Sequence, residues 1–158
     1  MIQPLRAKYT GHLRFIVILC PYDLHYDVWE KIAMFDAILF VKGSALEEKN
    51  LRRAGIFRAS QVVVLADGNH QAADGSKSSA LIDSDAIFAY QCVQRMNPNA
   101  QIALEIVNVS NIKYLNNDDA VESKDKDPKD YMFTTQFAGG SLFTSSSLDS
   151  LVCQVSIH

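Results

Sequence analysis

Oxygen-bearing side chains crowd one stretch of the sequence, NNDDAVESKDKDPKD at 116–130. Asn116, Asn117, Asp118 and Asp119 offer closely spaced hard oxygens, and Glu122, Asp125, Asp127 and Asp130 add more. This is the donor chemistry of a Ca²⁺ loop, since calcium takes about 6–8 oxygens at roughly 2.3–2.6 Å from carboxylates, amides and backbone carbonyls. The EF-hand form of such a loop is absent: there is no glycine at the turn and no glutamate at the twelfth position. Lys124, Lys126 and Lys129 stand among the acids and dilute the local negative potential. The residues therefore fit two descriptions, a cation loop and a solvated acidic connection.

Other chemistries find less support. A dinucleotide site needs G-x-G-x-x-G between a strand and a helix, because only glycine lets the backbone approach the pyrophosphate. Gly43, Gly55, Gly68 and Gly75 are dispersed and make no such loop. Asp23, after the first apolar run, imitates a ribose-binding acid in position, but with no glycine loop before it the better reading is a helix cap. Hydrolase chemistry has no G-x-S-x-G elbow, and His12, His25, His70 and His158 lie scattered at polar positions. Cys20, Cys92 and Cys153 are far apart in apolar runs, which suits reduced, buried, small hydrophobes and neither a metal knuckle nor a disulfide framework. Asn108-Val109-Ser110 fits a glycosylation acceptor in form only, because the chain otherwise reads as cytosolic. A net charge of −3 leaves no basic face for nucleic acid. These residues thus show no dinucleotide loop, no hydrolase elbow and no nucleic-acid footprint.

The elements that must position the acidic stretch are legible in the hydropathy pattern. With 158 residues, 48% of them hydrophobic, the chain is one domain's worth and can bury a core. Its apolar runs are far shorter than the ~20 residues of a membrane span. LRFIVIL at 13–19, AILFV at 37–41, QVVVLA at 61–66 and QIALEIV at 101–107 are mostly apolar at consecutive positions. Such runs suit strands covered on both faces in a parallel sheet. Helical patterns alternate with them. Asp23 caps a helix whose Leu24, Val28, Ile32 and Phe35 share a face. Ser44 and Glu47 match a capping box for a second, with Arg52 and Arg53 in its last turn and Gly55 as a left-handed C′ residue. A third carries Ile82, Ala86, Ala89, Val93 and Met96 and stops at Asn97-Pro98. NVSNIKYL reads as a short helix just before the acidic stretch. Residues 141–158 fit a closing helix with Ser141 as its N-cap. The alternation predicts an α/β, Rossmann-like, doubly wound and mostly parallel sheet.

Several segments together resemble a known family. GSALEEKNLRRAGIFRASQVVVLAD has the strand, glycine, capped helix, AGI and apolar strand layout of RCK domains, which regulate potassium conductance. PLRAKY, LEIVNVSNIKYLNNDD and FTTQFAGGSLFTSSSLDSL are similar to the second RCK domain of Slo-type, large-conductance potassium channels. The resemblance runs from Pro4 to Leu151, and its last block is the most specific.

The resemblance implies a cytoplasmic gating-ring domain of a membrane channel, and not an enzyme. Its partners would be other RCK domains of the same channel, in a homotetrameric ring, and the pore domain. In BK-type members the loop at this place is a calcium bowl. Aligned from its left, Lys113 and Asn116 would supply carbonyl oxygens and Asp118 and Asp119 carboxylates; aligned from Asp127-Pro128, the acids become Asp125 and Asp127. The disagreement means that the loop differs in length from the bowl. Sodium-gated Slo-type relatives lack the bowl, so an assembly module without a Ca²⁺ site is the alternative, with Na⁺ as a second candidate ion. A nucleotide-dependent oxidoreductase on the same fold is the remaining rival. The resemblance also implies that the first strand and helix of the fold are missing. The strands at 13–19 and 61–66 would then lack their common neighbour, and the closing interface helix at 141–158 would be present only in part.

Overall fold

The computed structural model describes residues 5–6, 13–66, 83–115 and 135–144. The structure divides into two compact units, Met1–Arg58 and Ala59–His158.

The first unit is a two-stranded parallel sheet with two short helices. β1 (Ile16–Cys20) and β2 (Ile38–Lys42) pair in register from Ile16 opposite Ile38 to Cys20 opposite Lys42. α1 (Tyr26–Ala33) joins them, and α2 (Glu48–Arg53) and a 3₁₀ turn (Ile56–Arg58) follow. The chain enters β2 through Ala37, which holds a left-handed φ of 59°. Such a conformation is strained for a residue with a Cβ. The Arg6 guanidinium secures that turn by donating to the carbonyls of Asp36 (3.2 Å), Ala37 (3.3 Å) and Arg14 (2.7 Å).

The second unit is a three-stranded parallel sheet of order β3-β4-β5. β3 (Gln61–Val64), α3 (Ser84–Met96), β4 (Gln101–Ile106), a 3₁₀ helix (Val109–Tyr114), a single-turn α4 (Thr135–Ala138) and β5 (Leu142–Thr144) succeed one another. Along β4 every second side chain, Ile102, Leu104 and Ile106, is buried. Ala86 and Ile87 of α3 join Leu104, Ile106, Ile112, Leu115 and Leu142 in one core cluster. Full burial of each such Leu or Ile contributes roughly 1.5–3 kcal/mol.

The parallel α/β architecture thus agrees with the expectation, as do the positions of its first four strands. Among the described residues β1 pairs only with β2 and β3 only with β4, so no second strand flanks the other edge of either. Gly55 takes φ 81°, the left-handed C′ conformation expected of it.

Several local expectations are corrected. Asp23 caps no helix: α1 starts after His25 with no side-chain cap, and the Asp23 carboxylate pairs with the Lys42 ammonium at 2.6 Å. The capping box does not close either, because α2 begins only at Glu48. Ser44 Oγ accepts the Leu46 amide (3.2 Å), and the Glu47 carboxylate takes the Lys49 ammonium (2.8 Å) and Asn50 Nδ2 (3.1 Å). Local side-chain partners have outcompeted the cap. Lys49 holds the Glu47 carboxyl below its usual range, by hydrogen bond first and by charge second. Residues 142–144, expected to open a closing helix, form β5 instead, since Leu142 and Thr144 face the core and Phe143 points away. Residues 145–158 and Ile82 lie outside the described part. Cys20 and Cys92 are half-buried free thiols rather than fully buried ones, and Cys153 is outside the described residues.

Candidate functional site

Ligands of open parallel α/β sheets gather at the carboxyl ends of the strands. In the second unit that edge is built around the end of β4. Ile106 is fully buried, and after it the chain must turn without abandoning its amides. Asn108 provides one solution: its side-chain oxygen accepts the Ser110 amide at 3.0 Å and starts the 3₁₀ helix. Ile112 and Leu115 then sink into the core, which leaves Lys113 and Tyr114 facing outward. The Lys113 ammonium lies 5.0 Å from the centre of the Tyr114 ring, within cation–π reach. Because Leu115 is anchored, the residue that precedes the acidic stretch has a fixed starting point.

Asp83 provides the second solution. It sits directly before α3, and its carbonyl accepts the Ile87 amide at 2.9 Å as a first helical bond. Its carboxylate does not cap that helix. Oδ1 accepts the Val107 amide (2.8 Å), while Oδ2 accepts the Asn108 amide (2.9 Å) and Asn111 Nδ2 (2.8 Å). The side chain is wholly inaccessible to solvent. On the neighbouring strand end, the Glu105 carboxylate accepts the Ala66 amide at 3.2 Å.

Of the residues singled out for cation binding, Lys113 is described, in the last turn of the 3₁₀ helix. Asn116, Asp118, Asp119, Asp125 and Asp127 lie outside the described residues. Among the described residues no group of three or more His, Cys, Asp or Glu side chains converges as a metal site. Asp83 escaped the sequence reading, although an acid set between the apolar Leu81-Ile82 and the helix it precedes was a signal of a buried, partnered carboxylate. A shallow groove on the outer face of α3, lined by Phe88, Gln91, Cys92, Gln94 and Arg95, carries neither carboxylate nor histidine. No helix among the described residues is long and apolar enough to cross a membrane.

Residues 1–104 match the family model described as the calcium-activated potassium channel slowpoke-like RCK domain. Potassium channel subfamily T member 1 of Mus musculus is 26% identical over 167 residues, covering 97% of this chain and 13% of the relative. Potassium channel subfamily U member 1 of Macaca fascicularis is 26% identical over 181 residues, covering 96% of this chain and 15% of the relative. The chain therefore spans less than a sixth of the length of these relatives. Among solved structures, the human SLO3 gating ring superposes with a TM-score of 0.69 at 26% identity, over 92% of this chain and 25% of that one. With a family model matched over residues 1–104, the chain belongs to the slowpoke-like RCK domain family.

Proposed function

We propose that this chain is a cytosolic gating-ring domain of a Slo-type potassium channel, which couples the binding of an intracellular cation to opening of the pore. The observation that carries this reading is the superposition of 92% of the chain on a channel gating ring, alongside the family match. Its partners are then other RCK domains, in a homotetrameric ring, and the pore domain of the same channel. Such a domain works by differential binding: a ligand that prefers one arrangement of the ring shifts the equilibrium toward it. A coupling of about 1–3 kcal/mol per site suffices when identical sites act together.

The ligand proposed for the 116–130 stretch is Ca²⁺, held by the Lys113 and Asn116 carbonyls with the carboxylates of Asp118 and Asp119, or of Asp125 and Asp127. The fixed corner at β4 supports that assignment from the protein side, because Leu115 tethers the stretch to the core. A second reading, an assembly module that transmits motion without a Ca²⁺ site, is favoured by the interleaved Lys124, Lys126 and Lys129. Excised patches of a channel carrying this chain separate the two. Potassium current that rises with Ca²⁺ on the cytosolic face, and does so less after Asp118→Ala with Asp119→Ala, is the expected result. Current that responds to Na⁺ alone, or to neither ion, would establish the second reading.

A further inference from the structure

We propose that the exposed surface where α2 runs into the 3₁₀ turn of the first unit, formed by Arg52, Phe57 and Arg58, docks an extended acidic segment of a partner protein. Positive charge is concentrated there. Residues 42–58 carry five cationic and two acidic side chains, in a chain whose net charge is −3. A basic island on an acidic chain attracts anionic partners and steers their approach.

Three of the five cations are already engaged. The Lys42 ammonium pairs with Asp23 at 2.6 Å and the Lys49 ammonium with Glu47 at 2.8 Å. The Arg53 guanidinium donates to Asn50 Oδ1 (3.3 Å) and to the Lys42 carbonyl (3.5 Å). Arg52 and Arg58 are exposed, and neither forms an ion pair among the described residues. Gly55, at φ 81°, turns the chain at the end of α2. The 3₁₀ turn that follows buries Ile56 and leaves Phe57 56% accessible. The Arg52 guanidinium lies 5.4 Å from the centre of the Phe57 ring, within cation–π reach. Cations in the last turn stabilise a helix, which accounts for Arg52 and Arg53. It accounts neither for Arg58, beyond the helix, nor for an exposed phenyl ring held against a guanidinium. Arginine beside an exposed aromatic ring is the make-up of an interface anchor.

The arrangement favours carboxylates spread along a chain over one compact phosphate. The carbonyls that end α2 carry negative partial charge in the turn that holds Arg52, which disfavours a doubly charged anion there. A peptide can instead bring a separate carboxylate to each arginine, whose planar fork donates two hydrogen bonds to it. An apolar side chain of the same peptide can then cover Phe57.

The test is fluorescence anisotropy of the full chain with an end-blocked, dye-labelled peptide of Asp, Glu and Leu, beside a counterpart with Asn and Gln in place of the acids. No Ca²⁺ enters the assay, so its outcome is independent of the cation reading above. The parent should bind the acidic peptide, less so as salt rises, and should ignore the neutral one. Arg52→Gln with Arg58→Gln should weaken binding by about three- to tenfold. Lys31→Gln with Arg95→Gln removes the same charge from α1 and α3 and should leave binding within about twofold of the parent. Arg52→Glu with Arg58→Glu should lose the acidic peptide and gain one of Lys and Leu, a reversal that loss of folding does not produce. Equal losses in the Gln variants would reduce the effect to net charge and overturn the assignment. A parent that binds neither peptide would overturn it outright. Binding to phosphatidylserine vesicles without binding to the peptide would overturn the protein partner in favour of a membrane surface.

Discussion

In the second unit β4 alternates Ile102, Leu104 and Ile106 under α3, and Ile112, Leu115 and Leu142 close the same cluster from either side. The first unit contrasts with it at each point. Of its described apolar residues, Leu51 and Ile56 are buried, while α1 buries none of its side chains. Val17 and Leu39, paired neighbours on β1 and β2, stand exposed, and Phe15 on the same face is 78% accessible. Polar pins hold this unit where apolar packing is thin: Arg6 on the Ala37 turn, and Asn50 among the Ser44 carbonyl, Glu47 and Arg53. The contrast teaches where each property resides. Stability resides in the second unit, beside the candidate cation stretch, and the first unit presents apolar surface that wants a cover.

The comparison can be broken most forcefully at Leu104, which is 1% accessible. Leu104→Ala should cost about 2–5 kcal/mol, read by denaturant unfolding, because the transfer and cavity terms both apply. An equal cost for Val17→Ala would show that the first unit is as well packed as the second. Gly43→Ala addresses the pins. A Cβ there would lie 2.5 Å from Asn50 Cγ, and Asn50 is buried and held by Ser44, Glu47 and Arg53. Displacing it should cost about 1–3 kcal/mol, and a neutral result would mean that the Asn50 network contributes little.

A smaller effect of opposite sign is expected from Ala37→Gly. Relief of the left-handed strain exceeds the added entropy of the unfolded chain, so a gain of about 0.5 kcal/mol should appear as a higher Tm. Destabilisation instead would mean that Arg6 has already absorbed the strain. The smallest stability effect, within about 0.5 kcal/mol, is expected for Val17→Lys with Leu39→Lys, at exposed positions. Its consequence lies elsewhere: β1 and β3 each have one edge that no strand flanks among the described residues, and such edges promote association. The parent chain should self-associate in sedimentation, and the lysine pair should weaken this. A parent that sediments as a monomer would mean that the exposed face and edges are protected.

The sequence exposed the strands because their apolar runs are continuous, a pattern that depends on burial and not on local detail. It exposed Gly55 for a similar reason, since a helix followed by glycine leaves few backbone alternatives. It misled at Asp23 and Ser44. Both are residues that cap helices in general, yet here each had a nearer partner, Lys42 on the adjacent strand and the Leu46 amide. Leu142 and Phe143 were assigned to a helix because a three-residue strand is too short to display its period. Lys113 became a candidate through the family resemblance alone. Asp83 was missed because its partners lie 24–28 positions away, a separation no local pattern encodes.

The central claim is that the stretch after the 3₁₀ helix takes a cation, and thermal unfolding of the full chain with Ca²⁺ tests it most directly. A ligand of the native state adds about 2.7 kcal/mol at roughly a hundred times its Kd. The predicted result is a Tm that climbs with Ca²⁺ in the parent and not in the Asp118→Ala, Asp119→Ala variant, with no response of either to a dinucleotide. A Tm indifferent to Ca²⁺ in the parent, or an equal rise in both proteins, would contradict the account.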